Sequence, residues 1–192
     1  HDAGITRLRF SRDGSRFLTT SLDSTARVWS RDSRDMLAAW SFDYQVESGA
    51  FLDGQDRVVV GLGDGRLMTV SNDSPKPELL GRGSWYAIID ATHDGRTVAG
   101  GFENGEIVLF DVAARSEIRR WKAHYRLAVP AFSPDGTLLA TGGSDSTIRI
   151  WNVGTGALRS TLSGHRARVF SMAWSRDGHR LLSGSRDRTV TV

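Results

Sequence analysis

Three groups of side chains in this 192-residue chain have the types that acyl-transfer catalysts use. His1 with Thr19 and Asp23, His124 with Thr141 and Asp145, and His165 with Ser183 and Asp187 each combine an imidazole base, a hydroxyl and a carboxylate. In a hydrolase the imidazole takes the hydroxyl proton while the carboxylate orients the ring and stabilises its cation. An active site of that kind is built once, whereas here the combination recurs three times at nearly one spacing, with Thr and Ser interchanged. The Gly-x-Ser-x-Gly elbow of a serine hydrolase is also missing. Gly61-Leu62-Gly63-Asp64-Gly65 is Gly-rich, but it lies between two strand-like runs rather than between a strand and a helix, so it reads as a turn and not a phosphate loop. His93 and His179 flank Asp-Gly pairs singly, without the further ligands at metal-binding spacing that a site requires, and there is no cysteine. Neither a metal nor another cofactor is expected. Asn72-Asp73-Ser74 has the form of a glycosylation acceptor, but Pro75 follows it and the match is uninformative.

The elements that must position these residues follow from an internal period. Asp-Gly pairs occur at Asp13, Asp53, Asp94, Asp135 and Asp177, spaced by 40, 41, 41 and 42 residues. A second series, Asp23, Asp64, Asn104, Asp145 and Asp187, keeps step with the first. A third falls six residues later still, at Trp29, Val70, Phe110 and Trp151, and its fifth member would fall one residue beyond Val192. Three series sharing one period mark a structural repeat. Within a unit, short β-branched runs alternate with Asp-Gly or Ser-Asp turns: Ala128 to Phe132, then Leu138 to Thr141, then Ile148 to Trp151, then Ala157 to Leu162. Such runs read as antiparallel hairpins, four strands to a unit.

Composition agrees and narrows the function classes. Against 21 Gly there are only 4 Pro, which suits many tight turns. The absence of cysteine excludes disulfides, thiolate metal sites and a Cys nucleophile, and leaves the redox compartment open, so a cytoplasmic location is permitted and expected. No apolar run approaches a membrane span and residues 1–30 lack the order of a signal peptide. The net charge of +3 is mild, and the excess of Arg over Lys is ascribed to a GC-rich coding sequence.

The fifth unit carries the most specific motif: Gly164-His165, an apolar run Val169 to Trp174, Asp177-Gly178, then Leu181-Leu182-Ser183-Gly184-Ser185-Arg186-Asp187. This resembles the WD-repeat family, strongly over residues 1–29 and 122–192. In the second and third units Gly-His is missing, Val60 and Gly100 stand for the strand Ser or Thr, and Val70 and Phe110 stand for Trp. The resemblance implies an all-β fold, a β-propeller of four-stranded antiparallel blades with approximate bounds 1–40, 41–80, 81–121, 122–162 and 163–192. Four blades would be complete and the fifth would hold three strands. It further implies an open fragment of a larger propeller, two or more further blades coming from the parent chain. Under this likeness the polar groups form hydrogen-bonded sets that lock blades: His1, Thr19, Asp23 and Trp29; His124, Thr141, Asp145 and Trp151; and His165, Ser183 and Asp187 without a Trp.

Function in the family lies on the faces of the disc. By analogy the partner-facing positions are Arg168, Phe170 and Arg186 in the fifth blade, and Gly4, Thr6 and Leu22, Gln45, Glu47 and Gly63, Trp85, Ala87 and Glu103, and Arg126, Ala128 and Ser144 in the others. Trp85, Arg126, Arg168, Phe170 and Arg186 have the side chains most often found as interface anchors and are the candidate protein-binding residues. The expected role is therefore a non-catalytic protein-interaction platform in a larger signalling or regulatory protein. The Arg-rich composition and degenerate middle blades also resemble bacterial WD-repeat proteins. Two alternatives are a nucleic-acid binder using Arg166, Arg168, Arg176, Arg180, Arg186 and Arg188, and an enzyme at the central channel. Asp177 and Asp187 dilute the first, and the innermost runs Ile5 to Phe10 and Val169 to Trp174 lack the carboxylates and histidines the second needs.

Overall fold

Two turn chemistries set the strand lengths. In the Asp-Gly turns the carboxylate ties the loop to itself: Ser11 Oγ and the Ser15 N–H both donate to Asp13 Oδ1, at 2.8 and 3.0 Å. The Gly14 N–H reaches the Ser11 carbonyl at 2.9 Å. Thr92 with Asp94, Ser133 with Asp135 and Ser175 with Asp177 repeat the side-chain bond. In the second turn the acid or amide accepts the N–H two residues on, as Asp23 does from Thr25 (2.9 Å), Asn104 from Glu106 (3.1 Å) and Asp187 from Thr189 (2.8 Å). The residue between them is left-handed in all five units. In blades 2 and 3 that residue is Gly65 or Gly105, where a Cβ would also lie 2.0 Å from the Ser84 carbonyl oxygen or 2.1 Å from that of His124, so glycine is required twice over.

The computed structural model describes residues 1–52 and 57–192; the expected Asp53-Gly54 turn lies outside the described residues. Between the turns lie nineteen described strands in five antiparallel sheets. Blade 1 comprises β1 (Ile5–Phe10), β2 (Arg16–Ser21), β3 (Thr25–Ser30) and β4 (Met36–Ser41), and blade 2 comprises β5 (Val46–Phe51), β6 (Arg57–Leu62), β7 (Arg66–Ser71) and β8 (Glu78–Arg82). Blade 3 comprises β9 (Ile88–Ala91), β10 (Thr97–Gly101), β11 (Glu106–Asp111) and β12 (Ser116–Lys122), and blade 4 comprises β13 (Val129–Phe132), β14 (Leu138–Gly142), β15 (Ile148–Asn152) and β16 (Leu158–Leu162). Blade 5 has three strands, β17 (Val169–Trp174), β18 (Leu181–Ser185) and β19 (Val190–Thr191). This is an all-β, five-bladed propeller arrangement with β1, β5, β9, β13 and β17 packed on one another in chain order around the axis.

Strand alternation builds the core between blades rather than within them. On β6, Val58 and Val60 face blade 1 with Leu18, Val28 and Trp40, whereas Val59 faces blade 3 with Ile89 and Val98. On β11, Val108 faces blade 2 while Ile107 and Leu109 face blade 4 with Leu139 and Trp151. Blade 3 replaces the polar set by volume. Phe102 fills the space over Gly83 and Gly100, and Phe110 that over Gly81, where a Cβ would come within 2.4, 2.8 and 2.1 Å of the rings.

Close approach of backbones joins successive blades. A Cβ on Gly61 would lie 2.4 Å from the Ala87 carbonyl oxygen, one on Gly101 would lie 2.1 Å from that of Ala128, and one on Gly142 would lie 2.7 Å from Val169 Cγ1. Gly184 holds the same place in blade 5, yet only Phe170 and Ser171 of its own blade come within 3.9 Å of that point. Among the described residues no next blade covers it. The opposite flank is also bare, with Ile5 59 % exposed and Leu8 and Phe10 exposed beside it, so the arc is open at both ends.

Candidate functional site

The His, Asp and hydroxyl residues come together as three separate sets. His1 Nδ1 lies 2.9 Å from Asp23 Oδ2, its Nε2 lies 2.7 Å from Thr19 Oγ1, and the Trp29 indole donates to the same Oγ1 at 2.8 Å. His124 makes the corresponding contacts with Asp145 (2.9 Å) and Thr141 (2.9 Å), and Trp151 donates to Thr141 at 2.8 Å. In blade 5, His165 lies 3.0 Å from Asp187 and 2.8 Å from Ser183. With Nδ1 protonated, its N–H donates to the carboxylate, the hydroxyl donates to Nε2, and the indole N–H, where there is one, donates to the hydroxyl oxygen; in blade 4 the Arg149 guanidinium also lies 2.7 Å from His124 Nδ1 and the Thr141 carbonyl 3.0 Å from Nε2. Burial depresses the His124 pKa against the opposing pull of Asp145. Burial pulls Asp145 upward, but hydrogen bonds from Thr147 and His124 hold its carboxyl below the ordinary range. The Arg149 guanidinium closes blade 4's set on Asp145 Oδ2 at 2.9 Å.

His124 also joins two blades. The His124 N–H donates to the Gly105 carbonyl of blade 3 at 3.0 Å while its ring serves blade 4. Thr19, Thr141 and Ser183 are buried, with their oxygens already engaged, so no substrate carbonyl can approach them.

One end of the disc gathers the loops that enter each blade and the second turns. There a single bond repeats five times. The N–H groups of Leu22, Gly63, Glu103, Ser144 and Arg186 donate to the carbonyls of Gly4, Gln45, Trp85, Arg126 and Arg168, at 3.0, 3.0, 2.9, 3.4 and 2.9 Å. These expected face positions are therefore geometrically equivalent. The inner positions behave differently. Thr6, Glu47 and Phe170 fall at register breaks in β1, β5 and β17, while Ala87 and Ala128 are buried against the preceding blade.

Among the candidate anchors, Trp85 is 60 % exposed and leans on Tyr44, with ring centroids 6.3 Å apart and planes at 53°. Arg126 pairs with Glu103 at 3.5 Å, and both line a shallow groove of about 430 Å³ walled by Trp85 and Tyr125. Arg186 is exposed and Arg168 is half-buried at the same end. Phe170 does not join them. Its ring lies on the bare flank of blade 5 with Leu182, Gly184 and Val190, lining a pocket of about 410 Å³. Tyr44, Tyr86 and Tyr125 were not singled out by the repeat, yet they are the chain's only three tyrosines and all stand in the loops entering blades 2, 3 and 4. That clustering was the signal available.

The profile of the family described as "WD domain, G-beta repeat" matches residues 1–30, 115–152 and 156–192, more than half of the chain. The chain belongs to this WD-repeat family. The WD repeat as matched is out of phase with the blade: residues 115–152 begin one residue before β12, the outer strand of blade 3, and end on β15. Periodic tryptophan protein 2 of Arabidopsis thaliana is 28 % identical over 161 residues, covering 76 % of this chain and 17 % of that protein. Eukaryotic translation initiation factor 3 subunit I of Drosophila melanogaster is 30 % identical over 151 residues, covering 78 % of this chain and 38 % of that protein. The WD-repeat chain thus spans well under half the length of these relatives. They are plant and animal proteins, and the likeness to bacterial WD-repeat proteins finds no support in them.

The six arginines of the WD-repeat fifth blade do not form one stripe. Arg166, Arg168, Arg186 and Arg188 flank the start of β17 and the end of β18, whereas Arg176 and Arg180 flank the opposite turn. Two innermost strands do carry carboxylates, a correction to the view from β1 and β17 alone. Glu47 lies on β5, and Asp90 on β9 accepts the Phe132 N–H at 2.8 Å and meets Arg9 of blade 1 at 3.4 Å. No group of three or more His, Asp or Glu side chains among the described residues is placed to hold a metal ion, and no helix is long and apolar enough to cross a membrane.

Proposed function

We propose that the chain is a non-catalytic platform that binds other proteins or peptides at the end of the disc carrying the blade-entry loops. The observation that carries this reading is the five-fold repeated bond that sets Trp85, Arg126 and Arg168 at equivalent positions on blades 3, 4 and 5, with Arg186 beside Arg168 as its bonded partner in blade 5. A relative named as a subunit of an initiation factor works in an assembly, which agrees with protein partners. The His, Asp and Thr or Ser sets, and the indoles of Trp29 and Trp151, serve to lock the blades. The Gly184 and Ile5 flanks are covered in the whole protein by further blades of the same kind, because each reproduces a surface that blades 2 to 4 bury. The platform works within a larger signalling or regulatory protein in the cytoplasm.

The experiment is affinity capture with the chain and two variants, identified by mass spectrometry. One variant carries Trp85→Ala, Arg126→Ala, Arg168→Ala and Arg186→Ala; the control carries Arg176→Ala and Arg180→Ala at the other end. Loss of captured proteins in the first variant and retention in the second is the expected result. An identical captured set from both variants overturns the assignment.

A further inference from the structure

Around Gly63, at the axial mouth of the same face, several exceptions to ordinary strand geometry converge. Glu47 sits at a register break between Val46 and Ser48, and bulges of this kind re-aim a side chain. Tyr86 holds a left-handed backbone, φ 64°, which a bulky side chain adopts only when its surroundings impose it. Its N–H donates to the Gly63 carbonyl at 3.0 Å. A Cβ on Gly63 would meet Glu47 Oε1 and the Tyr44 ring at 3.3 Å each, so the missing side chain is what lets carboxylate and ring converge. The Trp85 ring leans on Tyr44 from outside.

Glu47 is only 5 % exposed. Its carboxylate lies beside the Tyr86 phenol, and among the described residues no basic side chain pairs with it. Burial pushes its carboxyl above the usual range, the behaviour of a carboxylate without a cation. The Arg168 guanidinium pulls the Tyr86 phenol downward, against the larger upward effect of burial. A buried carboxylate with unused lone pairs is costly until a charge partner arrives. The faces of Tyr44, Tyr86 and Trp85 attract cations and repel anions.

We propose that this mouth receives a cationic side chain of the partner, a guanidinium or an ammonium, with its charge on Glu47 and its stem between the rings of Tyr44, Tyr86 and Trp85. The site rests on the platform reading and names the partner's chemistry. An acidic group would face the Glu47 charge. A neutral apolar one would leave the carboxylate without a counter-ion.

The test titrates the chain with N-acetyl-argininamide and N-acetyl-lysinamide, and with N-acetyl-norleucinamide as the neutral control, following the Trp85 indole resonance by NMR. The cationic amides shift that resonance saturably and the neutral one does not; whichever cation binds more tightly identifies the source. Glu47→Gln keeps an acceptor beside the Tyr86 phenol and weakens binding by at least about tenfold, about 1.4 kcal/mol. Should that variant fail to fold, Tyr44→Leu removes one ring from a surface loop and must weaken binding too. Equal binding by the neutral amide, or unchanged affinity in whichever variant folds, overturns the proposal. The two readings separate cleanly. Face-dependent capture without argininamide binding removes only the cation site, whereas argininamide binding at Glu47 with identical capture by the two capture variants removes only the platform assignment.

Discussion

Thr141→Val is a clean perturbation of a blade lock, because the two side chains have nearly the same shape and differ by one hydroxyl. Thr141 is fully buried, and its oxygen serves two groups, the Trp151 indole N–H at 2.8 Å and His124 Nε2 at 2.9 Å. Both partners are themselves buried. Removing the hydroxyl leaves the indole N–H without a partner and leaves His124 Nε2 only the Thr141 carbonyl at 3.0 Å, at ~1–3 kcal/mol for each group so affected. The sum, about 3 kcal/mol, corresponds to a fall in Tm of roughly 6–12 °C for a domain of this size. Thr141→Ser keeps the hydroxyl and loses one methyl, a change of ~1 kcal/mol. The two variants should therefore differ by about 2 kcal/mol in urea unfolding followed by tryptophan fluorescence. Adding Trp151→Phe to Thr141→Val removes one stranded group, so the double variant should lose less than the sum of the singles. Equal stabilities of Thr141→Val and Thr141→Ser, or strict additivity in the double variant, would show that the hydroxyl does not hold the set together.

Titration gives a second outcome. Burial lowers the His124 pKa below its ordinary 6.5, so the unfolded chain takes up the proton first; stability is full above about pH 6.5 and declines as pH falls towards the folded value, by up to ~1.4 kcal/mol per unit. Asp23, held low by Thr25 and the Asp2 N–H in spite of its burial, and Asp187, held low first by Thr189, add losses of the same sign below about pH 4. Denaturation midpoints from pH 7.5 to 3 would check this, and a stability that rises between pH 7 and 5 would contradict it. Glycine-to-alanine changes test the bare flanks: Gly142→Ala should cost ~1–3 kcal/mol by forcing a Cβ against Val169, while Gly184→Ala in the 192-residue chain should stay within about 0.5 kcal/mol. In a longer protein whose further blade covers Gly184, the second change should become as costly as the first; equal tolerance there would argue against the covering blade.

Much of the fold was readable because period and turn chemistry are local. The Asp-Gly and Asp-x-Thr turns fix strand lengths through bonds spanning two to five residues, and a series at one period survives substitutions in between. The polar sets were readable for the same reason, since His124, Thr141, Asp145 and Trp151 occupy fixed offsets in one unit. The face was less so. Trp85, Arg126, Arg168 and Arg186, chosen by counting, lie at one end, but counting could not say that Phe170 turns onto the flank or that Glu47 turns inward, because both stand at bulges and a one-residue slip reverses the side a strand residue faces. Tyr44, Tyr86 and Tyr125 escaped notice because each stands outside the offsets the motif supplies, and only the packing of one blade's loop on the previous blade brings Tyr44 to Trp85.

The degenerate middle blades show why a polar lock is dispensable in some places and not in others. Where two blades that lack the set meet, the interface holds twelve buried apolar residues, Phe102 and Phe110 among them; between blades 4 and 5, which both keep their sets, it holds six. A buried indole and hydroxyl contribute only a modest net gain once their hydrogen bonds to water are counted, while two phenylalanines over glycines remove large apolar area. Apolar volume and the hydrogen-bonded set are thus alternative solutions to joining the same two sheets, and they fail differently. A truncation of Phe102 should open a cavity that its glycine neighbours cannot fill, whereas a broken set strands polar atoms. The two boundaries where one blade keeps the set and its neighbour does not hold ten and eight buried apolar residues, between those extremes, as expected if each lock and each block of apolar volume can stand in for the other.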